Sequence, residues 1–181
     1  MTGWLMFQVR FGTSVTLEGM PLPHDSVGDA VWGRPGRMMI SSVKVIRSAV
    51  EHHAAITVVN AMAFDYFTTT KTVHMGAAAI SALRAMHRQL ARLYPGRSSG
   101  QLWRMEGVTL MIGLDDNPAK NEVTRPADAR QVAAFANAHK LPLVSIWAIQ
   151  RDNGRCPGHK GNNACSGIRQ PTWQFSHILA R

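Results

Sequence analysis

The chain has 181 residues, of which 45% are hydrophobic and 17% charged, and its formal net charge is +9. These values exclude a disordered chain and fit one domain with a sizeable core. No apolar run approaches the length of a membrane span, and the opening MTGWLMFQVRF has neither a basic leader nor a small-residue cleavage site, so no signal peptide is read there.

The first strand is predicted over Phe7 to Leu17, followed by a Gly/Pro/Asp-rich loop to Gly36. Val43, Ile46 and Val50 recur at helical spacing and predict a helix from Met39 to His53. Ile56 to Met62 reads as a continuous β-branched run, as expected of a strand buried on both faces. The strongest helix runs from Gly76 to Tyr94 and stops at Pro95-Gly96. On it, Ile80, Leu83, Met86, Leu90 and Leu93 form one face, and Arg84, Arg88 and Arg92 lie four apart on the other. The arginines read as a solvated face. No aromatics interleave with them, so no nucleic-acid partner is expected.

A short helix over Ser99 to Met105 precedes a buried strand from Val108 to Leu114, which ends in Asp115, Asp116, Asn117 and Pro118. The next helix, Pro126 to Lys140, has Thr124 as expected N-cap and Pro126 in its first turn. Leu141 to Ile149 is the last strand. After it come a Gly/Asn-rich loop holding Cys156 and Cys165 and an aromatic tail, PTWQF. Alternating strands and helices predict an α/β fold built of right-handed βαβ units on a parallel sheet. Four such units are too few for a closed eight-stranded barrel of about 250 residues. The sheet is then either small and open or half of a barrel.

In parallel α/β folds the chemistry lies beyond the carboxyl ends of the strands. The successive strands deliver there Glu18, then Asp65 and Tyr66, then Asp115 and Asp116, and finally Trp147 with Gln150, Arg151 and Asp152 beyond it. Carboxylates accept hydroxyl and amide protons, and an indole face stacks on the C–H face of a pyranose, so the set suits a carbohydrate. The plainer alternative leaves Trp147 in the core and the acids as loop punctuation. Cys156 and Cys165, with eight residues between them, can close a small disulfide loop. Free thiols and a metal site recruiting His159 are the alternatives, the last with poor ligand spacing.

The segments VVNAMAFDY, WRMEGVTLMIGLDD, ADARQVAAFANAHKLPLVSIWAIQRD and CSGIRQPTWQF resemble, in order, blocks of bacterial chitinases of glycoside hydrolase family 18. The resemblance is clearest over residues 43–175, and SVTLEGMPLP resembles the strand-five block more loosely. It implies a partial, truncated TIM barrel: one domain of about four βα units corresponding to strands five to eight. It also implies chitin or chito-oligosaccharide as partner and no cofactor. Carried over by position, Met62, Asp65 and Tyr66 would contact the N-acetyl group of the sugar at the cleavage point, and Trp147 would floor that subsite. Asp115 and Asp116 fall where the subgroup has an Asn-Asp pair, and would line the cleft or cap the next helix.

One part of the pattern is missing. The family's general acid is the Glu of a DxxDxDxE run, and none of Glu18, Glu51, Glu106 and Glu122 follows an Asp two residues earlier. Glu18, one strand too late in the family order, is a weak substitute acid; it reads better as a loop residue or sugar contact. Such a half-barrel would expose two sheet edges and is expected to self-associate. A secretory-style cysteine loop without an export signal fits a secreted ancestor whose signal lay upstream with the missing half. Three readings follow: a chitinase-like hydrolase impaired on its own, a non-catalytic chito-oligosaccharide binder, and, weakest, a basic nucleic-acid module.

Overall fold

The computed structural model describes residues 6–11, 40–66, 73–116, 122–159 and 163–180. Glu18 lies outside these residues. The fold is α/β. Its main sheet has strand order β1 (Met6–Phe11), β2 (Ile56–Met62), β3 (Glu106–Met111), β6 (Leu143–Trp147). Between β3 and β6, β4 (Gly113–Leu114) and β5 (Val123–Thr124) form a separate two-stranded hairpin. The helices are α1 (Ile40–Glu51), α2 (Met75–Leu93), α3 (Ser99–Trp103), α4 (Pro126–His139) and α5 (Gln174–Leu179).

Strands β2, β3 and β6 are parallel, as expected, with Met62 opposite Thr109 and Met111 opposite Trp147. The first strand departs from the expectation. It is antiparallel to β2, with Met6 opposite Met62 and Phe11 opposite Ile56. An antiparallel edge strand needs no crossover helix, but its direction carries its carboxyl end away from the tips of the other three.

Side chains alternate across this sheet. Val59, Ala61, Val108, Leu110 and Val144 join the main core with Ile80, Leu83, Met86 and Leu90 of α2 and Val132 of α4. The opposite face carries a polar ladder. Asn60 Nδ2 donates to Thr109 Oγ1 at 2.6 Å, and Thr109 Oγ1 lies 2.6 Å from Ser145 Oγ. Arg84, Arg88 and Arg92 are exposed on α2, as their spacing predicts, and the Arg84 guanidinium sits over the Phe135 ring.

The N-cap of α4 is Arg125, not Thr124, which belongs to β5. The capping acceptor is Asp128. Its Oδ2 takes the Arg125 N–H at 2.8 Å, and its Oδ1 takes the N–H of Gly76 at 3.0 Å, tying the start of α4 to the start of α2. The aromatic tail folds as α5, which the sequence reading left unassigned. Asp152 holds it, accepting from Phe175 N (3.1 Å), Ser176 N (2.7 Å), Ser176 Oγ (2.7 Å) and Gln170 Nε2 (2.6 Å). Asp152 is therefore a helix anchor rather than a free group beyond the last strand.

Candidate functional site

The carboxyl ends of β2, β3 and β6 lie at one end of the sheet, because these strands are parallel and in register. At the tip of β6, Trp147 is 44% exposed, unusual for an indole and against the alternative that left it in the core. The peptide bond from Trp147 to Ala148 is cis. Met62, at the end of β2, is half-buried. Asp65 and Tyr66, just beyond it, are only 6% and 5% exposed. Asp65 holds a left-handed backbone (φ 53°), a conformation that Asp tolerates better than most residues.

Tyr66 packs into the main core, and burial, with help from Asp115 and Glu122, pushes its phenol above the ordinary tyrosine range. Its hydroxyl has no hydrogen-bond partner among the described residues.

Asp115 does not line an open cleft; it is fully buried, as is Glu122. The hairpin explains why. Gly113 pairs with Thr124 and Leu114 with Val123, so the next rung sets Asp115 opposite Glu122, with the Asp115 N–H donating to the Glu122 carbonyl at 3.1 Å. Opposed residues in an antiparallel pair project to the same face, which brings the Asp115 and Glu122 carboxyls together. They also accept consecutive amides from the tip of β2. Asp65 N donates to Asp115 Oδ2 at 3.0 Å, and Tyr66 N to Glu122 Oε2 at 2.8 Å. Burial raises the Asp115 carboxyl well above the usual range; the Asp65 amide acts against this, and the Asp65 and Glu122 charges reinforce it. Asp116 is exposed.

The nearby cation is Arg151, from the 3-10 turn Ile149–Arg151. It is fully buried and donates to the carbonyls of Ile112 and Leu114. Burial lowers its affinity for the proton, and Asp115, Asp116 and Asp65 restore part of it.

Glu122 was not singled out as a site residue in the sequence. The available signal was the two short β-runs flanking DDNPAKNE, which would have made Asp115 and Glu122 neighbours across a hairpin. Arg151 was visible only as a charge after the last strand, although a cluster of buried acids calls for such a cation.

The cysteine loop packs against the same hairpin. Cys156 and Cys165 are joined, with Cα atoms 6.0 Å apart. Ser166, the next residue, accepts the Leu114 N–H on its carbonyl at 2.8 Å, and its own N–H donates to the Asn153 carbonyl at 3.1 Å. Among the described residues no group of three or more His, Cys, Asp or Glu is arranged to hold a metal ion.

The α/β fold is similar to that of chitinase catalytic domains. The chain is 32% identical over 160 residues to a probable bifunctional chitinase/lysozyme of Escherichia coli, and 32% identical over 126 residues to endochitinase 11 of Metarhizium anisopliae. These matches cover 81% and 65% of this chain but only 17% and 24% of those proteins.

The crystal structure of the catalytic domain of a hyperthermophilic chitinase from Pyrococcus furiosus superimposes with a TM-score of 0.71 at 29% identity, over 81% of this chain and 46% of that one. Catalytic-site mutants of active domain 2 of the thermostable chitinase from that organism, complexed with chito-oligosaccharides, match equally well. No protein-family model matches the chain. Over about 81% of its length the chain is thus homologous to chitinase catalytic domains of the family 18 type, and it spans less than half of the solved domains it matches.

Proposed function

We propose that the parallel strands β2, β3 and β6 with their helices correspond to strands six to eight of a truncated TIM barrel, the antiparallel β1 not being a barrel strand, and that the chain binds chito-oligosaccharide at these strand tips. The observation that carries this reading is the common end of β2, β3 and β6, where Trp147 is exposed at the tip of β6, across β3 from the tip of β2 that bears Met62, Asp65 and Tyr66. Homology to chitinases supports a polymer of N-acetylglucosamine as ligand. The indole offers a stacking platform. On this reading the exposed Asp116 offers a carboxylate, and Asp65 and Tyr66, nearly buried, would meet the ligand only at their exposed edges.

On this reading the chain does not hydrolyse chitin alone. None of its four glutamates stands in a DxxDxDxE run, and loss of a general acid costs about 10²–10⁴-fold in rate. The binding role stands without catalysis. The proposal extends to self-association: among the described residues β6 pairs only with β3 and presents a free strand edge.

Isothermal calorimetry with chitotetraose tests the binding role. Wild type gives a titration that Trp147→Ala weakens by roughly 10-fold or more. Equal titrations would remove the indole from the site. A fluorogenic chitobioside assay separates the two roles, since turnover by the purified chain would establish it as a hydrolase in its own right. Analytical ultracentrifugation tests the edge, and a clean monomer at high concentration would refute self-association.

A further inference from the structure

We propose that Asp115 and Glu122 are paired positioning residues that hold Asp65 and Tyr66 in place for an oligosaccharide at the strand tips. The ligand in this inference rests on the reading above; the pair itself does not. Three features of the geometry lead to it. The hairpin register places the two carboxyls side by side with no access to solvent. Each accepts one of two consecutive amides, Asp65 N at 3.0 Å and Tyr66 N at 2.8 Å. The first of those residues holds a left-handed backbone, so its amide direction is set by its acceptor as much as by its own preference.

Two adjacent buried carboxyls cannot both ionise without strong repulsion. The arrangement is satisfied when Asp115, whose carboxyl burial pushes well above the usual range with the Glu122 charge reinforcing it, keeps its proton beside Glu122. Among the described residues, the charged and titratable groups facing it are Asp65 and Tyr66 from the tip of β2, Asp116 beside it, and Arg151 from the 3-10 turn. Arg151 is the one cation among them, and it balances a pair carrying a single negative charge. The Asn that the resemblance leads one to expect at position 115 would supply the same hydrogen bonds with no proton to lose. Asp115 therefore makes the clamp sensitive to pH in this chain. As pH rises and the Asp115 proton leaves, two anions face each other and the clamp loosens.

The test uses the full chain labelled with ¹⁵N. In wild type the amide resonances of Asp65 and Tyr66 move together with one pH midpoint, and chitotetraose affinity falls over the same range as pH rises. Glu122→Gln supplies a permanent donor. It keeps both amides at their low-pH positions and makes affinity independent of pH, and Asp115→Asn does the same. Glu122→Ala shifts the Tyr66 amide upfield and weakens chitotetraose roughly 10-fold or more while near-UV circular dichroism stays native.

Separate midpoints for the two amides would overturn the pairing. Equal losses of affinity in Glu122→Gln and Glu122→Ala would overturn the positioning role. If wild type shows no heat with chitotetraose at any pH, the sugar reading fails and the positioning role falls with it, and the amide titrations alone then decide whether the pair exists.

Discussion

His87 Nδ1 lies 2.7 Å from Glu106 Oε1, at the end of the sheet opposite Trp147. Glu106 is fully buried at the start of β3, and burial pushes its carboxyl up to about 9. Burial first, then His139 and Arg88, lower the imidazole. Both shifts favour a neutral acid donating to a neutral imidazole, whose Nε2 lies 3.0 Å from Ser99 Oγ and whose ring stacks on Trp103 at 3.8 Å.

The sign of the resulting pH dependence follows by linkage. The folded chain keeps the Glu106 proton up to about pH 9, whereas an unfolded carboxyl loses it near 4.5, so this contribution to stability falls as pH rises between them. The lowered His87 acts the other way, but only as pH falls below about 6.5. Between about pH 7 and 9 His87 no longer opposes the Glu106 effect, and the raised Asp115 carboxyl acts in the same direction as Glu106. Urea midpoints of wild type should decline across that window, and those of Glu106→Gln should decline less. Parallel slopes would show that the acid is ionised in the fold.

Gly113 has φ +80°, and a Cβ placed there would meet the Ser166 carbonyl oxygen and lie 2.6 Å from its carbonyl carbon. Gly113→Ala combines a left-handed β-carbon with backbone displacement at the Leu114–Ser166 hydrogen bond. We expect a loss of roughly 2–4 kcal/mol by urea unfolding. A loss below about 1 kcal/mol would mean that the cysteine loop moves aside freely.

Asp152 gathers its four hydrogen bonds from three residues of the tail. Asp152→Ala leaves two amides at the start of α5 without their acceptor, and should cost about 2–4 kcal/mol. Asp152→Asn, which keeps one acceptor oxygen, should fall between the variant and wild type. Urea unfolding followed by circular dichroism measures both.

The Cys156–Cys165 link spans a sequence separation of 9. Closing a loop of that size stabilises by roughly 2.5 kcal/mol through the unfolded chain. The double variant Cys156→Ser, Cys165→Ser should lose about that much, and adding reductant to wild type should reproduce it. Wild type indifferent to reductant would mean that the thiols are free in solution.

Elements with local signals were legible in the sequence. The bounds Ile56–Met62 were readable from the run of β-branched residues that opens the strand. The apolar face of α2 was readable from its period, and the start of α4 from Pro126. The antiparallel sense of β1 depends on the path of the chain between Phe11 and Ile40, which no local pattern encodes. Helix α5 was missed because its anchor, Asp152, lies 22 residues before Gln174, so no cap stood next to it in sequence. At the candidate site, Asp65, Trp147 and the Asp115–Asp116 pair were found because they follow strands. The burial of Asp115 was not, because it depends on Glu122 across a hairpin whose strands are two residues each.

The ladder of Asn60, Thr109 and Ser145 constrains alignment as well as stability. Valines and alanines alone would let neighbouring parallel strands slide by two residues and still bury an oily surface. Three short polar side chains that must meet head to tail allow one alignment only. That alignment brings the ends of β2, β3 and β6 to one height, so a row of small hydroxyl and amide groups in the middle of the sheet sets how far apart Met62 and Trp147 stand at its rim.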